Sequence, residues 1–225
     1  MGESNERRTM KVSIIVTLYN RLELCTKLLF KLQEQIEQNK AQDQVQVIVI
    51  NDGSTEEKEW LKPVENLCKE YGFDYYYQKN GGEAAARNAG IDHVKGEYFT
   101  YADCDDDIVP EYIANILEGA KYDWDAVAYK WIYKDDGTAG EWHEKPLVNW
   151  NVWSWIYKTD KFKQYRFDTN RVIASDYFWL EDCFKKMTDL KVCYADNLRT
   201  IIYNSNNPNN LTNRFSRGEV VANKE

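Results

Sequence analysis

Strand-like and helix-like patterns alternate through the first half of the chain, and this alternation constrains the fold more than any other feature. Residues 11–18 are a nearly continuous β-branched run, the pattern of a strand covered on both faces of a parallel sheet. Tyr19 and Asn20 break it. Leu22, Leu24, Leu28, Leu29, Leu32 and Ile36 then recur at helical spacing, giving a helix to about Asn39. Residues 45–50 form a second buried strand. Gly53 permits an unusual backbone after it, and Ser54 or Thr55 caps a helix running through Trp60 and Leu67. Residues 73–78 read as a third strand, and residues 83–94 as a helix kept small by Ala84, Ala85, Ala86 and Ala89. Residues 98–102 read as a fourth strand. The expectation is an α/β domain with a mostly parallel central sheet flanked by helices and right-handed crossovers. In such sheets ligands gather beyond the carboxyl ends of the strands. Asn20, Asp52, residues 80–82 and residues 103–107 all fall there, so four polar loops converge on one rim.

The fourth strand runs into Asp103, Asp105, Asp106 and Asp107. Like charges held so close are costly unless a cation or hydrogen-bond donors neutralise them. Oxygen-only ligands suit Mg²⁺ or Mn²⁺, which keep waters and share substrate phosphates. The alternative is an acidic turn that caps a helix starting near Pro110.

With 225 residues and 43% hydrophobic content, the chain can bury a core and fits one domain better than two. A formal net charge of -8 argues against nucleic-acid binding, which wants a basic face. It leaves a nucleotide open, because a bound metal reverses the local sign. The five cysteines are scattered with no C-x-x-C pair, so reduced thiols are expected rather than a disulfide framework or zinc site. No apolar run approaches the ~20 residues of a spanning helix. The expectation is a cytoplasmic protein, with docking at the inner face of a membrane left open.

Beyond Lys121 the pattern is looser. Residues 126–133 alternate as a strand, residues 135–137 turn, and residues 142–155 are crowded with aromatics. A helix is expected over 177–187, short strands over 192–194 and 201–203, a mobile Asn-rich stretch over 204–213 and a frayed C-terminal tail.

At four landmarks the chain resembles the family 2 glycosyltransferases of GT-A fold, an inverting family that uses nucleotide-activated sugars. They are residues 12–20, residues 49–55, residues 81–90 and the acidic DXD-type stretch 103–106. A weaker fifth is Glu181-Asp182. The resemblance implies a single GT-A domain, with a nucleotide-sugar half over 11–120 and an acceptor half over 121–225. It implies donor contacts from Thr17, Tyr19, Asn20, Asp52, Gly82, Arg87, Asp103 and Asp106, and Mn²⁺ or Mg²⁺ on Asp105. Asp182 would be the general base, with Asp176 its nearest competitor, and Trp153 and Glu181 would meet the acceptor. The implied reaction moves a hexose or N-acetylhexosamine from a UDP-sugar to a hydroxyl of a glycan or lipid-linked acceptor.

Each role has a simpler rival. Asp52 is equally suited to an Asx-type turn, and Arg87 to a surface ion pair with Glu83 one turn earlier. Glu181 and Asp182 fit a solvated helix face balanced by Lys185 and Lys186. Tryptophans at this density are more often core than sugar platforms. Asp107 lies outside the family pattern and suits helix capping. The family's metal-side histidine is absent near residues 203–212, where Asn207 is the candidate oxygen ligand. A nucleotidyltransferase would show a Gly-rich basic loop after the first strand, and Tyr19-Asn20-Arg21 is not one. A nucleotide-binding module without turnover stays open at this level.

Overall fold

The computed structural model describes residues 10–55, 61–140, 151–208 and 211–219. Trp60, Trp142, Trp150, His143 and the last six residues of the expected tail lie outside them. The first half runs β1 (Val12–Leu18), α1 (Leu22–Gln38), β2 (Val45–Asp52), α2 (Leu61–Tyr71), β3 (Asp74–Gln78), α3 (Glu83–Asp92) and β4 (Tyr98–Tyr101). The remainder is β5 (Asp107–Ile108), α4 (Tyr112–Gly119), β6 (Ala126–Tyr133), β7 (Ala139–Gly140), β8 (Trp155–Lys158), α5 (Thr159–Phe162), α6 (Ser175–Lys186), β9 (Val192–Tyr203) and α7 (Leu211–Ser216). One sheet joins the strands in the order β3-β2-β1-β4-β8-β6-β9-β5, with β7 on β6. The long ladders, β1 with β2, β2 with β3, β1 with β4 and β6 with β9, are parallel. The short ones made by β5, β7 and β8 are antiparallel.

Continuous β-branched sequence becomes continuous burial. Every residue of β2 is buried, and Val12, Ile14, Ile15 and Val16 of β1 are fully covered. Such side chains each contribute about 1.5–3 kcal/mol on leaving water. The small residues of α3 have a specific consequence. A Cβ on Gly90 would sit 2.3 Å from Cγ2 of Ile15, so α3 can approach β1 this closely only without a side chain there. Ala84, Ala86 and Gly90 lie on the same buried face as Arg87. Close packing of the helix therefore carries the guanidinium under the rim of the sheet.

The second half departs from the expectation in three places. Residues 192–194 and 201–203 belong to one strand, β9, whose ladder with β6 is irregular around Lys130. Trp155 heads β8, which inserts antiparallel between β4 and β6. Asp107 caps no helix: it opens β5 and pairs with Lys31 of α1 at 2.6 Å, while α4 begins after Glu111 without a side-chain cap. Aromatics of the second half extend the same core. Trp179 of α6 stacks on Phe167 at 4.8 Å and meets Tyr157 edge-on at 5.1 Å, with Tyr101 and Phe162 beside it. This cluster seats α6 against the end of β4.

The close approach of α3 is testable. Gly90→Ala gains about 1 kcal/mol of helix propensity but overpacks Ile15, which costs up to about 3 kcal/mol. A net loss of about 1–2 kcal/mol is expected in urea unfolding, and an unchanged or raised midpoint would contradict the packing.

Candidate active site

The carboxyl ends of β1, β2 and β4 open onto a hollow of about 1050 Å³, closed on its other sides by residues 171–176, Asn151, Trp153, Tyr203, Asn207 and Arg214. Every donor-side residue expected from sequence lines it: Thr17, Tyr19, Asn20, Asp52, Gly82, Arg87, Asp103 and Asp106, together with Asp105 and Trp153. Asp182 and Glu181 do not line it.

Several of these side chains hold the rim in place. Asn20 adopts a left-handed φ of 51°, and its amide bridges the backbone N–H and hydroxyl of Thr55. Gly53, at φ 71°, approaches the Asn80 backbone so closely that a Cβ would lie 2.5 Å from its nitrogen. Asp52 is buried and accepts from Gln78 Nε2 at 2.7 Å, Gly81 N at 2.8 Å and Gly82 N at 2.9 Å. It clamps the glycine loop, and Oδ2 retains a free lone-pair direction toward the hollow. Cys104 donates through Sγ to the Thr17 carbonyl at 3.2 Å, tying the acidic loop to β1.

Arg87 is 1% exposed, so it is neither the surface residue of the simple reading nor open to solvent. Its guanidinium meets Glu83 at 2.7 Å, Asp103 at 3.3 Å and Asp176 at hydrogen-bond contact, and it donates to Ser175 Oγ at 3.3 Å. Tyr101 and Phe167 flank it with ring centroids at 5.7 and 5.5 Å. Three carboxylates thus share one cation. Burial pushes Glu83 up to about 7, against the pull of Arg87 and with Asp176, Asp103 and Asp105 adding to it. Burial likewise raises Asp103 to about 6 and Asp106 well above the carboxylate range, Asp105 adding to the latter.

Asp105 is bound by Arg21 and by Asn207 Nδ2 at 3.0 Å, and Asp106 accepts from Asn204 N at 3.0 Å. Among the described residues, no three acidic, histidine or cysteine side chains converge tightly enough to hold an ion unaided. Crowded carboxylates short of positive charge nevertheless fit Mg²⁺ or Mn²⁺, which take one or two carboxylates and complete their shell with substrate phosphates. Asn207 turns its Nδ2 donor, not its oxygen, toward Asp105, so in this arrangement it steadies the carboxylate and does not replace the absent histidine as a ligand.

Asp176 and Asp182 share α6 but not its buried face. Six residues turn the helix by roughly 240°. Trp179, Leu180 and Cys183 are buried, and Asp176 falls within their arc. Asp182 falls outside it, about half exposed and paired with Lys186 at 2.7 Å. Glu181 pairs with Lys185 at 2.9 Å and accepts from Tyr177. The solvated acidic face weighed above is what these two residues form. Trp153 touches the hollow but is 4% exposed and packs on Trp131 and Tyr203. The apolar arc of the expected helix was the available signal for preferring Asp176.

The comparisons with known proteins agree with this geometry. The family model described as glycosyl transferase family 2 matches residues 13–186, and the chain belongs to that family. Glycosyltransferase GlyA of Streptococcus pneumoniae is 27% identical over 199 residues, 74% of this chain and 27% of that protein. The chain spans 13% to 36% of the length of the curated relatives it matches. The crystal structure of S. aureus TarS 1-349 in complex with UDP has a TM-score of 0.70 at 19% identity, covering 87% of this chain and 60% of that one. Mannosyltransferase PcManGT from Pyrobaculum calidifontis, in complex with GDP-Man and Mn²⁺, has a TM-score of 0.62 at 16% identity, covering 92% and 60%. The fold is that of the GT-A glycosyltransferases.

The Arg87 cluster carries a pH signature. Glu83 binds its proton more tightly folded than unfolded, so its contribution to stability is full below about pH 4.5 and is lost as pH rises through about 7. Glu83→Gln is expected to flatten that part of the stability–pH curve in thermal unfolding. An identical slope in wild type and variant would remove Glu83 as the proton carrier.

Proposed function

We propose that this chain transfers a hexose or N-acetylhexosamine from a uridine diphosphate sugar to a hydroxyl of a glycan or lipid-linked acceptor, in one inverting displacement. The observation that carries the proposal is the meeting of Asp176, from the second half of the chain, with Asp52 and Asp103–Asp106 around one hollow. Arg87 bonds to both Asp103 and Asp176. Residues 11–120 then supply the donor side, and residues 121–225 the acceptor side.

Asp176, rather than Asp182, is the general base. Its Oδ1 is fixed by Arg87 and Ser175, and its Oδ2 accepts from the Val152 backbone N–H at 3.3 Å. Oδ2 keeps a lone pair for the acceptor hydroxyl proton. As that proton moves to Asp176, the hydroxyl oxygen attacks the anomeric carbon and the diphosphate departs with the bonding electrons. Asp52 holds the base N–H of the nucleotide and Asp103 the ribose. A divalent ion on Asp105, as the Mn²⁺ of the PcManGT complex suggests, supplies positive charge for the departing diphosphate. Arg214, which also lines the hollow, adds to that charge from the protein side. The UDP of the TarS complex supports a uridine donor. All five cysteines are free, which supports a reducing, cytoplasmic setting. No described helix is long and apolar enough to cross a membrane.

Two variants test the base assignment. Asp176→Asn should retain UDP binding in the presence of Mn²⁺, measured calorimetrically, while transfer falls by roughly 10²–10⁴-fold. Asp182→Asn should transfer at close to the wild-type rate. The reverse pattern would return the role to Asp182. Chelation should weaken UDP binding in wild type, and added Mn²⁺ should restore it.

A further inference from the structure

The hollow is rich in carboxylates, and four arginines line it: Arg21, Arg87, Arg171 and Arg214. Arg87 and Arg21 are committed to acids of the rim. Arg214 belongs to α7, which follows the Asn207 loop that touches Asp105, and so serves the diphosphate side. Arg171 differs. It stands five residues before Asp176, in the segment that enters α6 through the left-handed Ala174, at φ 54°. Its guanidinium carbon lies 3.5 Å from the centroid of the Phe178 ring, so the fork is held flat. Nε faces Asp168 at 3.5 Å and the charge of Glu181 is near enough to feel the guanidinium, but the two terminal nitrogens have no hydrogen-bond partner among the described residues. A third of the side chain is exposed.

A planar fork with its terminal N–H groups free of hydrogen bonds, braced on a ring and lining the same hollow as Asp176, suits an oxyanion held through two hydrogen bonds. We propose that Arg171 binds an anionic group of the acceptor, a phosphate or a carboxylate, while Asp176 receives the proton of a neighbouring hydroxyl. This rests on the transferase reading above and narrows its acceptor class. An oxyanion would meet the terminal N–H groups with two charge-assisted hydrogen bonds, which a neutral hydroxyl cannot match.

The test uses the whole chain with Mn²⁺ and a panel of UDP-glucose, UDP-galactose and UDP-N-acetylglucosamine. The acceptors are a glycerol phosphate oligomer, an oligogalacturonate and neutral chitotetraose. Wild type should show a higher kcat/KM for one or both charged acceptors than for chitotetraose, and the preferred one identifies the anion. Arg171→Ala should lower that preference roughly 10- to 100-fold, mainly through KM, as loss of a charge-assisted pair requires. Arg171→Lys, which keeps the charge but not the fork, should lower it less, and it carries the test if the alanine variant melts early. Equal use of neutral and charged acceptors by wild type would overturn the inference, as would equal losses on both in the variant. A weakened UDP affinity in Arg171→Ala would also overturn it, by placing the residue on the donor. Absence of UDP binding and of transfer in wild type is a different failure, which removes the transferase reading and this inference with it.

Discussion

One buried guanidinium facing three carboxylates is the interaction on which the rest of the site depends. Glu83 comes from α3, Asp103 from the loop after β4 and Asp176 from α6, and Arg87 touches all three. A buried arginine without partners would be prohibitively costly, and three part-buried carboxylates crowded together without a cation would be costly as well. Each side therefore requires the other, which fixes the mutual positions of three segments distant in sequence. The balance is incomplete. Glu83, Asp103 and Asp106 are all driven toward neutrality by burial and by neighbouring acids. A site short of positive charge favours whatever brings more of it, and a divalent ion carried in by a diphosphate does so.

Around this centre the rim is held before any ligand arrives. Asp52 accepts two hydrogen bonds from the glycine loop and one from Gln78 of β3, Asn20 brackets the turn after β2, and Cys104 anchors the acidic loop to β1. The family resemblance implies ligand-facing roles for Asn20 and Asp52, and here both hold loops in place; Asp52 does so by long-range bonds and not by an Asx-type turn. Preorganisation of this kind lowers the ordering cost of binding. The aromatic cluster about Trp179 serves the other wall, since it sets the rotation of α6 and with it the direction in which Asp176 points.

The first half of the fold was legible because its signals are local and strong. β-branched runs gave β1 and β2, leucine spacing gave α1, and the alanines and Gly90 gave a helix able to pack closely on the sheet. The convergence of Asn20, Asp52 and Asp103–Asp106 followed from the rule that polar loops at strand ends share one rim, whereas Arg87, inside a helix, was flagged only by the family resemblance. The second half was not legible to the same degree. β5, β7 and β8 are two to four residues long and are defined by long-range pairing, which leaves little periodicity to read. Glu181-Asp182 has the look of an acidic motif, yet its position relative to Trp179, Leu180 and Cys183 turns it to solvent. Asp176 is the acid of the same helix that lines the hollow, a placement visible from the buried face and not from the adjacency of two acids. The burial of Arg87 depends on the close approach of α3, which a one-turn pairing rule with Glu83 does not convey.

A double-mutant cycle on unfolding free energy tests the central claim most directly, with Arg87→Met, Asp176→Asn and the pair combined. Arg87→Met alone strands the carboxylates and should cost about 3–5 kcal/mol. The double variant should be more stable than the sum of the two single losses implies, with a coupling on the order of 1–3 kcal/mol. Additive losses would show that Arg87 and Asp176 do not depend on one another, and the arrangement of the site would then need a different cause.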